Sequence, residues 1–357
     1  MNNNTPEISI ILPCQNEEKA LGFCLSQISK TVKENYIDTE IIVSDSSTDG
    51  SPEIARKAGV ILVKHDKSGY GTAYLEALKV AKGKYIFMAD ADGTYDFSEL
   101  PRFLKYLREG YDFVIGDRFS GKMEKGAMPF THKLGNPLLS GTLRLFFGTF
   151  INDSHCGMRA ISKKSFADLN LQTTGMEFAS EMIIKALRKN LKIKELPINY
   201  YRRKGKSKLK PVADSYRHMR FMLLYSPLFL FFIPGFLMFL PGAFLIFWFY
   251  FKNLYNLMFF PSLLTIAGYQ LIIFSAFAKT YSITHLKESS AFMDKVYKYL
   301  SIERASILGL IIILAGLGAS FGFAGIRNSI VALTLATLGV QTIFSSFMLS
   351  ILSIKEK

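Results

Sequence analysis

Two aspartates separated by one residue, Asp90 and Asp92, are the side chains in this sequence best placed to do chemistry. In an extended segment they point the same way. Two like charges held together with no basic neighbour in sequence call for a cation. Oxygen-only ligation suits Mg2+ or Mn2+, which typically bridges to substrate phosphates. The competing reading is a turn and helix cap, with Asp96 or Ser98 opening a helix from Glu99. Other polar groups recur after short apolar runs: Pro13-Cys14-Gln15-Asn16-Glu17-Glu18, then Asp45 to Ser51, then Gly116-Asp117-Arg118. Asp49 could equally cap a helix beginning at Ser51, and the Gly69-Tyr70-Gly71 step suits a turn or a close approach to phosphate. Glu177 and Glu181, four apart on a helix, could supply a carboxylate base; an ion pair from Glu181 to Lys185 is the simpler use of that residue.

These groups need a scaffold that gathers them. Ile8 to Leu12, Glu40 to Ser44, Val60 to Val63, Tyr85 to Ala89 and Phe113 to Ile115 are short apolar runs rich in β-branched or aromatic residues. Between them lie amphipathic stretches at Glu17 to Val32, Ser51 to Ala58 and Gly71 to Ala81. That alternation predicts βαβ units and a mostly parallel sheet. Ligands of such sheets bind beyond the carboxyl ends of the strands, and four of the five run ends carry the polar groups named above.

The rest of the chain has a different texture. It is 357 residues long, with 49% apolar residues and 31 Phe, which excludes disorder and a single small domain. After about Phe221 come four uncharged blocks: 31 residues from Phe221, 26 from Asn253, 22 from Ala305 and 27 from Asn328. Each exceeds the ~20 residues a helix needs to cross a bilayer, so four spans are expected, at 224–251, 256–278, 305–326 and 329–353. Pro227, Pro234 and Pro241 predict a kink or an interfacial entry in the first. Of the net charge of +14, a local +7 lies between Arg202 and Arg220. This run leads into the first span, so its expected partners are anionic headgroups or phosphates, with no nucleic acid; a plain solvated flank is the alternative. Lysines in the loop from Lys279 to Arg304 and at the C-terminus place both termini and that loop in the cytoplasm by the positive-inside rule. The expected division is a catalytic domain at 1–201, a basic juxtamembrane segment at 202–220 and a membrane domain at 221–357. Cys14, Cys24 and Cys156 show no metal-ligand spacing and suit a reducing compartment. The N-terminus lacks the pattern of a cleaved signal peptide.

Taken in order, ILPCQNEE, SDSSTDGS, KSGYGTAYLEAL, FMADADGTYD and VIGDRF resemble the family 2 glycosyltransferases of the GT-A fold. With DSHCGMRA, GMEFASEM, RRKGKSKL and four spans, the chain looks like the dolichyl- or polyprenyl-phosphate sugar synthase branch. The resemblance covers about Ile8 to Arg220. It implies an α/β GT-A domain followed by an all-α membrane domain, in a multi-pass protein of the cell membrane with a cytoplasmic catalytic domain. The implied activity is inverting transfer of a hexose from a nucleotide-diphosphate sugar, of UDP-glucose or GDP-mannose type, to a polyprenyl or dolichyl phosphate. The alternative is transfer to a hydroxyl of another lipid or glycan.

Carried over by position, the resemblance implies donor binding by Pro13, Glu17, Asp45 and Asp90, and a divalent metal, Mg2+ or Mn2+, on Asp90 and Asp92. It implies acceptor-phosphate binding by Arg118, His132, Arg203, Lys206 and Lys208, with Asp153 near the reacting centre and Asp90, Asp92, Arg118 and Asp153 as the catalytic set. Relatives are often dimers or tetramers, which implies a homo-oligomer. The chain departs from some relatives at Thr94 and Asp96, after the aspartate pair, and at His132 and Asn136, where those relatives carry Arg and Ser. The polysaccharide synthases of this fold share a QxxRW segment before their spans; here the one Trp, Trp248, lies inside the first expected span.

Overall fold

The computed structural model describes residues 5–205, 211–285, 302–322 and 325–353. Contacts divide the chain into two units, 1–222 and 223–357.

The first unit is built on a seven-stranded sheet. Its strands are β1 (Ile8–Cys14), β2 (Thr39–Asp45), β3 (Ile61–Lys64), β4 (Tyr85–Met88), β5 (Phe113–Asp117), β6 (Arg159–Ser162) and β7 (Ile193–Pro197), in the order β3-β2-β1-β4-β6-β5-β7. β1 lies near the centre with Ile8, Ile10, Ile11 and Leu12 fully buried, the continuous apolar strand that a sheet covered on both faces demands. All pairings are parallel except those of β6, which runs antiparallel between β4 and β5. The register sets Cys14 beside Asp45, and β1 is paired to β4 through Ile11 and Met88. Asp45, Cys14 and Asp90 therefore leave the same edge of the sheet.

The helices are α1 (Glu18–Glu34), α2 (Ser51–Lys57), α3 (Tyr70–Leu78), α4 (Leu100–Arg108), α5 (Phe130–Phe147), α6 (Lys163–Leu169), α7 (Phe178–Arg188) and α8 (Pro211–Leu224). Asp49 takes the capping role: its carboxylate accepts from Ser51 N at 3.0 Å and from Glu18 N at 3.2 Å, bracing the starts of α1 and α2. Asp96 accepts from Ser98 N in the same manner. The Gly69-Tyr70-Gly71 step is a turn and a close backbone contact. Gly69 has φ +127°, and a Cβ on Gly71 would lie 2.3 Å from Thr173 O. The amides that open α3 are already used, Gly71 N donating to Gly175 O and Thr72 N to Thr174 O, which leaves the turn reading and removes the phosphate one.

The second unit is helical: α9 (Ile233–Phe251), α10 (Phe259–His285), α11 (Ile302–Gly322) and α12 (Ile326–Ser353). A π-turn at Leu228–Phe232 follows Pro227, Pro234 lies in the first turn of α9 and Pro241 lies inside it, so the three prolines shape the entry of this span. Among the described residues three segments are long and apolar enough to cross a membrane, Leu228–Phe251, Tyr255–Thr284 and Ile326–Ser353, against the four expected. The remaining expected span, 305–326, falls on α11 and on residues 323–324, which lie outside the described set. Helices pair here through small residues: a Cβ on Gly268 would lie 2.4 Å from Phe239 N, and one on Gly339 2.5 Å from Gly309 O. Such contacts let backbones approach where lipid offers no hydrophobic drive. Polar pairs fix the register of α10 against α12, with Tyr269 to Thr342 at 2.7 Å and Gln341 to Gln270 at 2.9 Å.

Candidate active site

A cavity of about 440 Å3 opens in the first unit beyond the strand ends. Asp90, Arg118, His132 and Arg203 line it together with Tyr70, His155, Tyr200 and His218. Four of the residues singled out in the sequence thus converge, although 113 positions separate the first from the last.

The aspartate pair sits where β4 ends. Asp92 is buried; one oxygen accepts from Thr94 N at 2.9 Å and from Thr94 Oγ1 at 2.6 Å, and the other is ion-paired with Arg203. Thr94, one of the departures from the relatives, therefore orients Asp92. Arg203 also lies 3.8 Å from Glu17. The segment carrying Arg203 is stitched to the aspartate loop by backbone, Lys204 N donating to Asp92 O at 2.8 Å and Tyr201 N to Thr94 O at 2.9 Å. The start of the basic run is thus part of the site. Lys206 and Lys208 lie outside the described residues.

Asp90 forms no hydrogen bond with any described residue. Burial, and then the negative charge of Asp92, push its carboxyl up to about 7 against the pull of Arg203 and Arg118. A carboxylate kept from ionising by a like charge is what a divalent cation relieves. No third His, Cys, Asp or Glu completes a metal cluster among the described residues. Two carboxylates, with the remaining positions left to water and phosphate oxygens, fit Mg2+ or Mn2+.

Across the cavity, Arg118 and Asp153 form a buried, two-pronged ion pair, Nε to Oδ2 at 2.6 Å and Nη2 to Oδ1 at 2.8 Å. Arg118 N donates to the same carboxylate at 3.1 Å, and the guanidinium lies over the Tyr200 ring. Both Asp153 oxygens are thereby engaged. Asp153 does not itself line the cavity; it holds Arg118, which does.

Asp45 is fully buried, and neither of its carboxylate oxygens has a hydrogen-bond partner among the described residues. A buried, unpaired carboxylate is costly, and this one is open to an N–H or O–H donor. Asp45, Glu17 and Pro13 do not line the cavity with Asp90. Asp45 stands two strands away from β4 along the same sheet edge, and Pro13 packs in the β1–β2 ladder opposite Ser44. Burial pushes the neighbouring Cys14 thiol up to about 11, so it is no nucleophile at neutral pH.

Glu181 is structural: it pairs with Lys185 at 2.6 Å and accepts from Gln172 N and Thr173 N. Glu177 differs, because its Oε2 is buried with no partner among the described residues.

Three residues of the site escaped the sequence reading. His155 and His218 stack edge to face with ring centroids 4.3 Å apart, and the Ser180 hydroxyl reaches His218 Nδ1 at 2.8 Å. Burial, then the charge of Arg159, lowers His218 to about 4; burial, then His218, lowers His155 well below its ordinary range. Both rings are neutral at pH 7. Arg159 is buried at the start of β6 and donates to three carbonyls, Cys156 O at 2.7 Å, Ala179 O at 2.8 Å and Ser154 O at 2.8 Å. It pins the loop that carries Asp153 and His155 to the first turn of α7. DSHCGMRA contains His155 and Arg159, so that motif held a signal; nothing local marks His218.

The mixed, mostly parallel sheet is that of the GT-A fold. Residues 9–169 match glycosyl transferase family 2, and residues 276–353 match the glycosyltransferase family 2 C-terminal transmembrane region. The chain is 38% identical to the low-salt glycan biosynthesis hexosyltransferase Agl6 of Haloferax volcanii, over 96% of this chain and 88% of that protein. It is 32% identical to a dolichyl-phosphate hexose transferase of the same organism, over 58% of this chain and 88% of that one. In fold it is similar to glucosyl-3-phosphoglycerate synthase from Mycobacterium tuberculosis, solved with Mn2+, UDP and glucosyl-3-phosphoglycerate: TM-score 0.51, 22% identity, 62% of this chain and 80% of that one. The chain belongs to glycosyl transferase family 2 and is a membrane protein.

Proposed function

We propose that the chain moves a hexose from a nucleotide-diphosphate sugar, of UDP-glucose or GDP-mannose type, to a polyprenyl or dolichyl phosphate, with inversion at the anomeric carbon. The observation that carries this reading is the pairing state of the acids. Both oxygens of Asp153 are engaged by Arg118 and those of Glu181 by Lys185, Gln172 N and Thr173 N, while Asp92 is oriented by Thr94 and ion-paired with Arg203. A hydroxyl acceptor would need a free base, whereas a lipid phosphate is ionised already and needs only cations to place it. Arg118, Arg203 and His132 line the cavity for that task, and Lys206 and Lys208 continue the same basic run. Two-pronged guanidinium contacts suit phosphate oxygens.

Asp90 and Asp92 would hold Mg2+ or Mn2+, which when bound offsets the charge that collects on the leaving diphosphate. Asp45 and Glu17 would take the nucleotide, Asp45 accepting from its base or ribose and so gaining the donor it lacks. Asp153 keeps Arg118 aimed, and Thr94 keeps Asp92 aimed. The catalytic domain, 1–201, the basic segment, 202–220, and both termini would lie in the cytoplasm, with the membrane domain at 221–357.

The test incubates the purified full chain with Mn2+, polyprenyl phosphate and a panel of labelled nucleotide sugars, and follows label into the organic phase. Acid-labile lipid label from one donor is the expected result. The unpaired Oε2 of Glu177 favours the second reading, a hydroxyl acceptor deprotonated by that carboxylate. Transfer to a neutral glycolipid, lost in Glu177→Gln, would establish it in place of the first.

A further inference from the structure

A chain of hydrogen bonds reaches the cavity at His218. It begins on α5, where Ser140 Oγ lies 2.9 Å from Ser154 Oγ. Ser154 Oγ lies 2.8 Å from His155 Nδ1, His155 Nε2 makes a longer contact of 3.5 Å with Ser180 Oγ, and Ser180 Oγ lies 2.8 Å from His218 Nδ1. The three serines are fully buried, and both rings line the cavity. These residues come from α5, the loop before β6, α7 and α8, so only the fold joins them.

The direction of the protons along this chain follows from its buried end. Ser140 Oγ accepts from Ser154 N at 3.1 Å, and its own proton has a single hydrogen-bonded acceptor among the described residues, Ser154 Oγ. The opposite direction would leave a fully buried hydroxyl proton with no acceptor, which is costly. Ser154 then donates to His155 Nδ1. A neutral imidazole carries one ring proton, and burial keeps both rings neutral. The His155 proton therefore sits on Nε2 and faces Ser180 Oγ. Ser180 in turn donates to His218 Nδ1, which leaves the His218 proton on Nε2. That N–H forms no hydrogen bond with any described residue, on a ring that lines the cavity.

The surroundings of this N–H select its ligand. Arg159 is buried close by, and its guanidinium donates to Ser154 O and Ala179 O, the neighbours in sequence of His155 and Ser180. A fixed positive charge beside a neutral donor favours an anionic oxygen over a hydroxyl. The proposed reaction brings two anions, and Asp90 and Asp92 with their cation would take the diphosphate of the donor. The phosphate of the acceptor remains. We propose that His218 Nε2–H donates to a phosphate oxygen of the acceptor, and that Ser140, Ser154, His155 and Ser180 are positioning residues that fix the tautomer able to do so. The proposal rests on the reading of the acceptor as a phosphate and adds a neutral donor to the cations that line the cavity. It also removes His218 as a base, because its free nitrogen already carries the proton.

The test measures binding of geranyl phosphate, a short prenyl phosphate, and of geraniol to the purified full chain. Gln places its amide nitrogen where His carries Nε2, and Asn places its amide where His carries Nδ1. His218→Gln should therefore bind geranyl phosphate within about threefold of the wild type. His218→Asn keeps the bond to Ser180 and loses the cavity-side donor, so it should bind about 10- to 100-fold more weakly, the scale of one hydrogen bond to a charged group. Ser180→Ala releases the tautomer and should fall between the two. Binding of UDP or GDP, whichever the wild type takes, is the folding control for all three variants. The reverse order, with Asn tight and Gln weak, would overturn the proposal, since the ring would then act through Ser180 alone. Equal affinities in Gln and Asn variants would overturn it too, as would geraniol binding as tightly as geranyl phosphate. A wild type that takes the nucleotide and no geranyl phosphate would refute the acceptor reading itself, and the proposal with it.

Discussion

Two acidic centres flank one cavity, which Asp90 and Arg118 line, and their electrostatics are opposite. At the end of β4, Asp90 and Asp92 repel each other, and Asp90 is pushed up to about 7 by burial and by that repulsion. Across the cavity, Asp153 is matched by Arg118 through two short hydrogen bonds and a backbone amide. The first centre is frustrated without a cation. The second is complete as it stands. The same residue type thus lacks a hydrogen-bond partner at Asp90 and is a brace at Asp153, among the described residues, and the partner decides which.

The largest expected effect breaks the open centre. Asp92→Ala removes one of two carboxylates and should lower transfer about 100- to 1,000-fold, the scale of losing a main electrostatic stabiliser, as should chelation of the wild type. Label in the lipid phase measures both, and Asp92→Ala should gain nothing from added Mn2+. The closed centre should respond in stability as well as in rate. Arg118→Ala strands a buried carboxylate and should cost about 3–5 kcal/mol; Asp153→Asn in the same background should recover part of that, a non-additivity that a double-mutant cycle of unfolding midpoints measures. Additive losses would mean that the pair is not the unit described.

The third prediction sharpens the contrast through pH. A carboxyl raised from 3.8 to about 7 binds more protons folded than unfolded, so its contribution to stability is present at low pH and is lost as pH rises toward 7. A cation must displace that proton, so Mn2+ should bind about tenfold more weakly per unit of pH below 7. Mn2+-induced thermal shifts at pH 6 and pH 8 read this out. In Asp92→Asn the dependence should move to lower pH, since the neighbouring charge is gone.

Much of this was legible in the residues. Apolar runs located five strands to within two residues at either end, and the strand-end rule pointed to Asp90, Asp45 and Arg118 before any geometry. β6 and β7 were not legible: β6 opens with an arginine whose burial depends on three carbonyls brought in by tertiary structure, and β7, IKELP, carries two charges in five residues. The use of Asp153 was hidden for a related reason: its partner lies 35 residues away, and residue type alone does not separate a base from a brace. The motif named Asp153 but could not supply its pairing. In the membrane region, composition gave spans readily, whereas the Tyr269–Thr342 and Gln270–Gln341 contacts that set register depend on which helices are neighbours.

Arg159 carries a consequence for the potential inside the cavity. It is 2% exposed, and no carboxylate lies within ion-pairing reach of it among the described residues. Carbonyl dipoles hold the guanidinium but do not cancel its charge. A cation set in low dielectric beyond the reach of mobile ions keeps its field at salt concentrations that screen surface lysines. That standing field adds to the burial that keeps His155 and His218 uncharged, and it lowers the potential energy of any anion entering beside them. Attraction of an anion to this cavity should therefore persist at ionic strengths that abolish attraction to the exposed Arg202, Arg217 and Arg220.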